Sequence, residues 1–244
     1  MQLESTAQVW GITGNLGGGK TLTAVEFAVR AISSDYFVCT NIDLKMDEVC
    51  AVLGSRARSL YRRIDLSSDD PNDWPSGDAR GSGGSRRVLV IIDEVAEWFD
   101  QYASTSPQVR KFLSWLRHSS KRGQDVLLVV QRREFLAKSL RILVARWIWV
   151  EDLAVWKIPK IRIRVPFCRG LVMRYVSDRL GNSVQPLEFA SKARWGRFYT
   201  TSQLLSGSMS MPYEIPPRAS LCTTPIGTRI CWLVLLGWAV SRVV

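Results

Sequence analysis

The chain has 244 residues, 46 % hydrophobic and 23 % charged, with 17 Gly, 10 Pro and 5 Cys, a balance that supports one folded core of ordinary size plus a short appendage. It excludes a collagen-like, wholly disordered or disulfide-scaffold protein, and the lack of any run of about 18 uncharged apolar residues excludes a polytopic membrane protein. The net charge of +11 is uneven: residues 1–100 carry 10 basic and 15 acidic side chains, a net −5, while residues 101–244 carry 23 and 7, a net +16, which favours a polyanionic partner for the second half.

The N-terminus has neither a basic nor an apolar signal region, and the five cysteines include no CxxC pair. A reducing, cytoplasmic setting is therefore expected, without a disulfide framework or a zinc site. In chain order, the apolar residues 9–12 predict a buried first strand, and 22–32, after a run of glycines, an amphipathic helix. Residues 36–40, aromatic and β-branched, predict a second strand ending at Asn41. The Ser-, Asp-, Gly- and Pro-rich stretch 67–85 is expected to be an exposed, mobile loop. Val88–Ile92 has no polar alternation and predicts a strand covered on both faces. Ser106 and Pro107 open a helix that Gly123 closes, with Val109, Phe112, Leu113 and Leu116 on one stripe and Arg110, Arg117 and Lys121 on another. Residues 126–130 predict the next buried strand, ending at Gln131, and the Trp-, Ile- and Arg-rich residues 146–175 are strand-like and extend or cap the sheet. Alternation of this kind predicts an α/β fold with a mostly parallel central sheet flanked by helices.

The domain is expected to span residues 1–200, followed by a Ser/Thr/Pro-rich linker over 201–226 and a candidate membrane anchor over 227–244. Residues 230–240 are the most hydrophobic window of the chain, between Arg229 and Arg242. Eleven residues fall short of the roughly 20 needed to span a bilayer, so attachment relies on Arg snorkelling; a terminal amphipathic or core-packing helix is the alternative.

Gly14-Asn15-Leu16-Gly17-Gly18-Gly19-Lys20-Thr21 matches G-x-x-x-x-G-K-[ST] at every fixed position, between a predicted strand and a predicted helix. Such a P-loop turns backbone N–H groups inward as an anion nest at a helix N-terminus. Lys20 then reaches the β- and γ-phosphates of ATP, and Thr21 takes a place on Mg²⁺. The apolar run Val88–Ile92 ends in Asp93 and Glu94; Asp93 is expected to hold the Mg²⁺ through water and Glu94, on another side of the strand end, to polarise the attacking water. Gln131 would lie beside the phosphates if its strand neighbours that of Asp93. Arg132, Arg133 and Arg141 are candidates for an arginine finger or for contacts with nucleic acid. His118, the sole histidine, is read as a surface residue, so no triad can be assembled. Arg162, Arg164, Arg169, Arg174, Arg194 and Arg197, interleaved with aromatics, could grip single-stranded nucleic acid or solubilise a face near an anionic membrane.

These motifs, with Thr40-Asn41, Trp98 after Asp93-Glu94, Arg117-His118 followed by Gly123-Gln124-Asp125, Leu140-Arg141 and Tyr199-Thr200, resemble the N-terminal domain of zonular occludens toxin-like proteins over roughly residues 6–200. That family is similar to the filamentous-phage assembly ATPase, near the FtsK/HerA branch of P-loop ATPases. The resemblance implies an oligomeric ATPase that drives assembly and extrusion of filamentous virions, exporting single-stranded DNA. It also implies the host inner membrane as location, the ATPase domain on the cytoplasmic side, and phage coat and channel proteins as partners. The family's single transmembrane segment falls where residues 230–240 do, and a chain ending at Val244 would lack a periplasmic domain. Two rival readings stand beside this one: a soluble DNA-packaging or helicase-type ATPase, and a nonhydrolysing nucleotide-switch membrane adaptor.

Overall fold

Eight strands form one sheet in the order β3-β2-β4-β5-β1-β6-β7-β8 in the computed structural model, which describes residues 8–77, 87–99, 106–153, 170–178 and 188–200. The strands are β1 Val9–Thr13, β2 Phe37–Thr40, β3 Tyr61–Arg63, β4 Val88–Ile92, β5 Gln124–Val129, β6 Arg146–Asp152, β7 Leu171–Ser177 and β8 Glu188–Ser191. From β3 to β6 every neighbouring pair is parallel; β7 and β8 are added antiparallel at the far edge. The predicted α/β architecture is thus present, and residues 146–175 extend the sheet rather than cap it. The chain divides into two units, Met1–Thr201 and Ser202–Val244, and all described residues belong to the first.

The helices are α1 Lys20–Ser33, α2 Met46–Leu53, α3 Val95–Trp98, α4 Pro107–His118, α5 Lys138–Arg141 and α6 Lys192–Gly196. Alternate residues of β4 enter opposite cores: Leu89 and Ile91 pack with α1, Val88, Val90 and Ile92 with α4. Burial on both faces is why this strand reads as an unbroken apolar run. Helix α1 is covered by more than the sheet, since Trp195 of α6 shares its core cluster and the Arg30 guanidinium lies 5.7 Å from the Trp195 ring. The Ser106 hydroxyl caps α4 by accepting from the Val109 amide at 3.2 Å. The helix ends earlier than expected, at His118; a single 3₁₀ turn, Ser120–Arg122, fills the gap before left-handed Gly123, φ 62°.

Two expectations are corrected. Residues 67–77 are not a loose loop: Asp70 caps a short 3₁₀ turn and Trp74, 2 % exposed, meets Trp115 of α4 edge-on at 4.8 Å. The Gln124 side-chain amide donates to the Pro75 carbonyl at 2.8 Å and the Gly77 amide to the Arg122 carbonyl at 2.8 Å, fixing the stretch to the start of β5. Nor is Arg174 available to nucleic acid. It is 6 % exposed, its guanidinium bound to Glu26 of α1 at 2.8 Å and to Glu188 at 3.3 Å. A cationic side chain on the covered face of a strand needs such partners. Arg162, Arg164 and Arg169, and the expected linker and anchor, lie outside the described residues. Among the described residues no helix is long and apolar enough to cross a membrane.

Candidate nucleotide site

Strand β1 ends at Thr13 and α1 begins at Lys20, so the predicted loop occupies the junction at the carboxyl ends of the parallel strands, where open α/β sheets bind ligands. Gly14 is buried, and a Cβ placed on it would lie 2.0 Å from the Val150 carbonyl oxygen of β6. Only glycine lets the loop pass that close to the neighbouring strand. Gly19 is left-handed, φ 90°, and starts α1 directly against Val172 of β7. The Gly18 amide bonds to the Asn15 carbonyl at 2.9 Å, closing the turn. Asn15, Leu16 and Gly17 form its exposed tip, with Leu16 72 % exposed.

The Lys20 ammonium donates to the carbonyls of Gly14 and Asn15 at 3.0 and 2.9 Å. Burial lowers its pKa, and the nearby charges of Asp93 and Glu94 oppose that shift. Thr21, one residue on, donates its hydroxyl to Asp93 Oδ2 at 2.7 Å, joining the loop to a residue 72 positions away. Two oxygens, a hydroxyl and a carboxylate, therefore meet at the base of the loop. Burial raises the Asp93 pKa, against the stabilising hydrogen bonds from Thr21 and the Glu94 amide.

Asp93 and Glu94 do not sit on β4 itself but on the turn after it. Glu94 is left-handed, φ 53° and ψ 39°, a conformation rare for a residue with a Cβ. Its carboxyl pKa is raised, first by burial and then by hydrogen bonding and charge from Glu97. Sequence reading passed over Glu97 because three residues of separation mean little until α3 places them on one turn. It also passed over the role of Asn41. That side chain accepts from the Asp93 amide at 2.8 Å and donates to the Asp93 carbonyl at 2.9 Å.

Gln131 follows the end of β5, the strand that neighbours β4. Strand β5 lies between β1 and β4, and the Gln131 carbonyl accepts from the Thr13 hydroxyl at 3.2 Å and from the Gly14 amide at 3.4 Å. The residue is exposed beside the loop. Arg133 bonds Glu134 at 2.9 Å and lies over Trp149 at 5.7 Å, and Arg132 lies over Phe135 at 6.0 Å. His118 is exposed, as expected. No cluster of three or more His, Cys, Asp or Glu able to hold a metal occurs among the described residues.

A family model described as zonular occludens toxin (Zot) matches residues 9–171. The Gene 1 protein of Enterobacteria phage I2-2 is 27 % identical over 177 residues, covering 70 % of this chain and 46 % of that protein. The Gene 1 protein of Salmonella phage IKe is 26 % identical over 177 residues, with the same coverage of 70 % and 46 %. The chain thus spans about half the length of these relatives. The crystal structure of the N-terminal domain of zonular occludens toxin from Neisseria meningitidis superposes with a TM-score of 0.50 at 17 % identity, over 80 % of this chain and all of that one. The chain belongs to the zonular occludens toxin family, and its fold is that of the N-terminal domain of zonular occludens toxin.

Proposed function

We propose that this member of the zonular occludens toxin family binds and hydrolyses ATP with Mg²⁺ and uses the energy in phage morphogenesis, driving assembly and extrusion of filamentous virions that carry single-stranded DNA. The reading rests above all on the 2.7 Å bond between Thr21 and Asp93, which unites the phosphate loop with the acidic strand end in one site. Similarity to phage Gene 1 proteins supports the biological setting.

The donors fit the cation. Magnesium takes hard oxygen ligands, keeps several waters and shares phosphate oxygens, so one hydroxyl and one carboxylate suffice from the protein. Thr21 and Asp93 would hold it, and bound there it would neutralise charge developing on the transferred phosphoryl group. Loop amides at the start of α1, other than those of Gly14 and Gly18 that bond to the Gln131 and Asn15 carbonyls, bind phosphate oxygens. Lys20 exchanges its bonds to the Gly14 and Asn15 carbonyls for phosphate oxygens. Glu94 polarises the attacking water and takes its proton. Gln131, tied to the loop through its backbone, orients that water or senses the γ-phosphate.

The charge of +11, concentrated after residue 100, supports a polyanionic cargo and an anionic membrane face. The apolar window 230–240 supports attachment to the host inner membrane, with the ATPase domain on the cytoplasmic side. A homo-oligomer working with coat and channel proteins completes the reading. The test is Mg²⁺-dependent ATP hydrolysis by the full chain, with and without single-stranded DNA, beside Lys20→Ala and Glu94→Gln. Both substitutions should abolish turnover, Glu94→Gln while still binding ATP, and DNA should stimulate the wild type. A wild type that binds ATP tightly and oligomerises yet turns over nothing would replace the motor with a nucleotide-switch adaptor.

A further inference from the structure

We propose that Asn41 is a positioning residue for hydrolysis: its side-chain amide clamps both main-chain polar groups of Asp93 and so holds the Asp93–Glu94 turn in its working conformation. The inference deepens the ATPase reading and rests on it.

The parallel pairing of β2 and β4 runs out at Thr40 opposite Ile91. Beyond it, the chain after β2 bends away, with the buried Thr40 hydroxyl accepting from the Ile42 amide at 3.1 Å and the Thr40 carbonyl accepting from the Ile64 amide at 2.9 Å. No backbone of β2 is left to pair with Asp93. The Asn41 side chain takes its place, with its oxygen 2.8 Å from the Asp93 nitrogen and its nitrogen 2.9 Å from the Asp93 oxygen. A planar amide is the side chain that offers one donor and one acceptor in peptide geometry; a carboxylate has no donor and an aliphatic side chain has neither.

The clamp matters because Glu94, the next residue, is strained. Glu94 occupies a left-handed conformation that is costly for a residue with a Cβ and persists only where neighbours hold it. Asp93 Oδ1 accepts from the Glu94 amide at 3.0 Å while Oδ2 accepts from Thr21 at 2.7 Å. The main chain of Asp93 is held by Asn41, and its carboxylate then fixes Glu94 and the phosphate loop together. Loss of Asn41 frees the main chain at the point where a displacement of about 1 Å costs roughly 100-fold in rate.

The same residue contributes little to the core. It is half-buried and lines an open cleft of about 440 Å³ with Arg63 and Trp98, so water can enter the space its amide would vacate. Catalysis and folding are therefore separable at this position.

The experiment compares full-length wild type, Asn41→Ala and Asn41→Asp in ATP turnover, affinity for a fluorescent ATP analogue, thermal melting and site-resolved amide exchange at Asp93 and Glu94. The expected result is a kcat about 100-fold lower in Asn41→Ala, ATP affinity within about threefold, a nearly unchanged melt, and fast exchange at the Asp93 amide. Asn41→Asp, which keeps the acceptor for that amide and loses the donor, should retain more of its protection than Asn41→Ala. Full protection of the Asp93 amide in Asn41→Ala, or a kcat that falls only in step with ATP affinity or with the folded fraction, overturns the proposal. If the wild type itself binds Mg²⁺ and ATP without turnover, the ATPase reading fails. The clamp is then decided by the ratio of ATP affinities with and without Mg²⁺. That ratio shrinks in Asn41→Ala if Asn41 places Asp93 and stays at the wild-type value if it does not.

Discussion

At the scale of single residues, the glycines of the loop are unequal in a way the motif does not reveal. A methyl group on Gly14 would meet the Val150 carbonyl oxygen at 2.0 Å, while one on Gly17 has nothing within 4 Å and only its φ of 69° to contend with. Gly14→Ala is therefore expected to cost about 2 kcal/mol and to lower Tm by roughly 5 °C, with loss of ATP binding, whereas Gly17→Ala should cost about 1 kcal/mol. Thermal melts of the two variants with and without Mg²⁺ and ATP would separate them; equal losses would mean that the close approach at Gly14 does not limit the loop. The eight-residue loop, Asp93 and Glu94 were legible because phosphate chemistry dictates residue types at fixed spacing. Asn41 and Glu97 were not, because their partners are reached across strands or around a turn.

At the scale of elements, packing overrode composition. The stretch 67–77 has the residues of a loose loop, and one indole changes its status: Trp74, buried against Trp115, ties it to α4, where Phe112 stacks on Phe99 at 4.1 Å. Trp74→Ala should lose about 3 kcal/mol by the usual cost of emptying a buried aromatic site. Urea unfolding would measure this, and a loss under about 1 kcal/mol would mean the stretch is not anchored there. The antiparallel strands β7 and β8 show the converse. Arg174 of β7 looked available to a polyanion, yet it is bound to Glu26, which Arg30 also contacts at 2.6 Å, so the helix that carries Lys20 and Thr21 is tied to β7. Removing one member of such a buried network costs more than its net contribution, because the other charge stays behind.

At the scale of the whole molecule, Asp125 links three strands near their amino ends. It accepts from the Gln8 amide before β1 at 3.1 Å and pairs with Arg87 before β4 at 2.8 Å, from its own place in β5. Burial raises its pKa to about 6, outweighing the opposing pull of Arg87. A carboxyl whose folded pKa lies above its unfolded value near 3.9 favours folding fully below about pH 4, and that contribution is lost as pH rises through about 6. The stability of the wild type relative to Asp125→Asn is thus expected to fall by on the order of 2–3 kcal/mol between pH 4 and pH 7. Denaturant titrations across that range would check the sign; a constant difference would place the Asp125 pKa near its ordinary value.

By itself the sequence determined the P-loop, the acidic strand end and the α/β order, because each is written in local spacing: glycines where backbone must turn, an apolar run where a strand is covered twice, Ser106 and Pro107 where a helix starts. Only the tertiary structure decided what depends on parallel crossovers between distant segments. It put β5 between β1 and β4, which brings Gln131 to the loop; it joined Thr21 to Asp93 and Asn41 to Asp93 across 72 and 52 residues. It also withdrew Arg174 from the surface, since the side of a strand that a helix covers is set by the sheet and not by the residue's own charge.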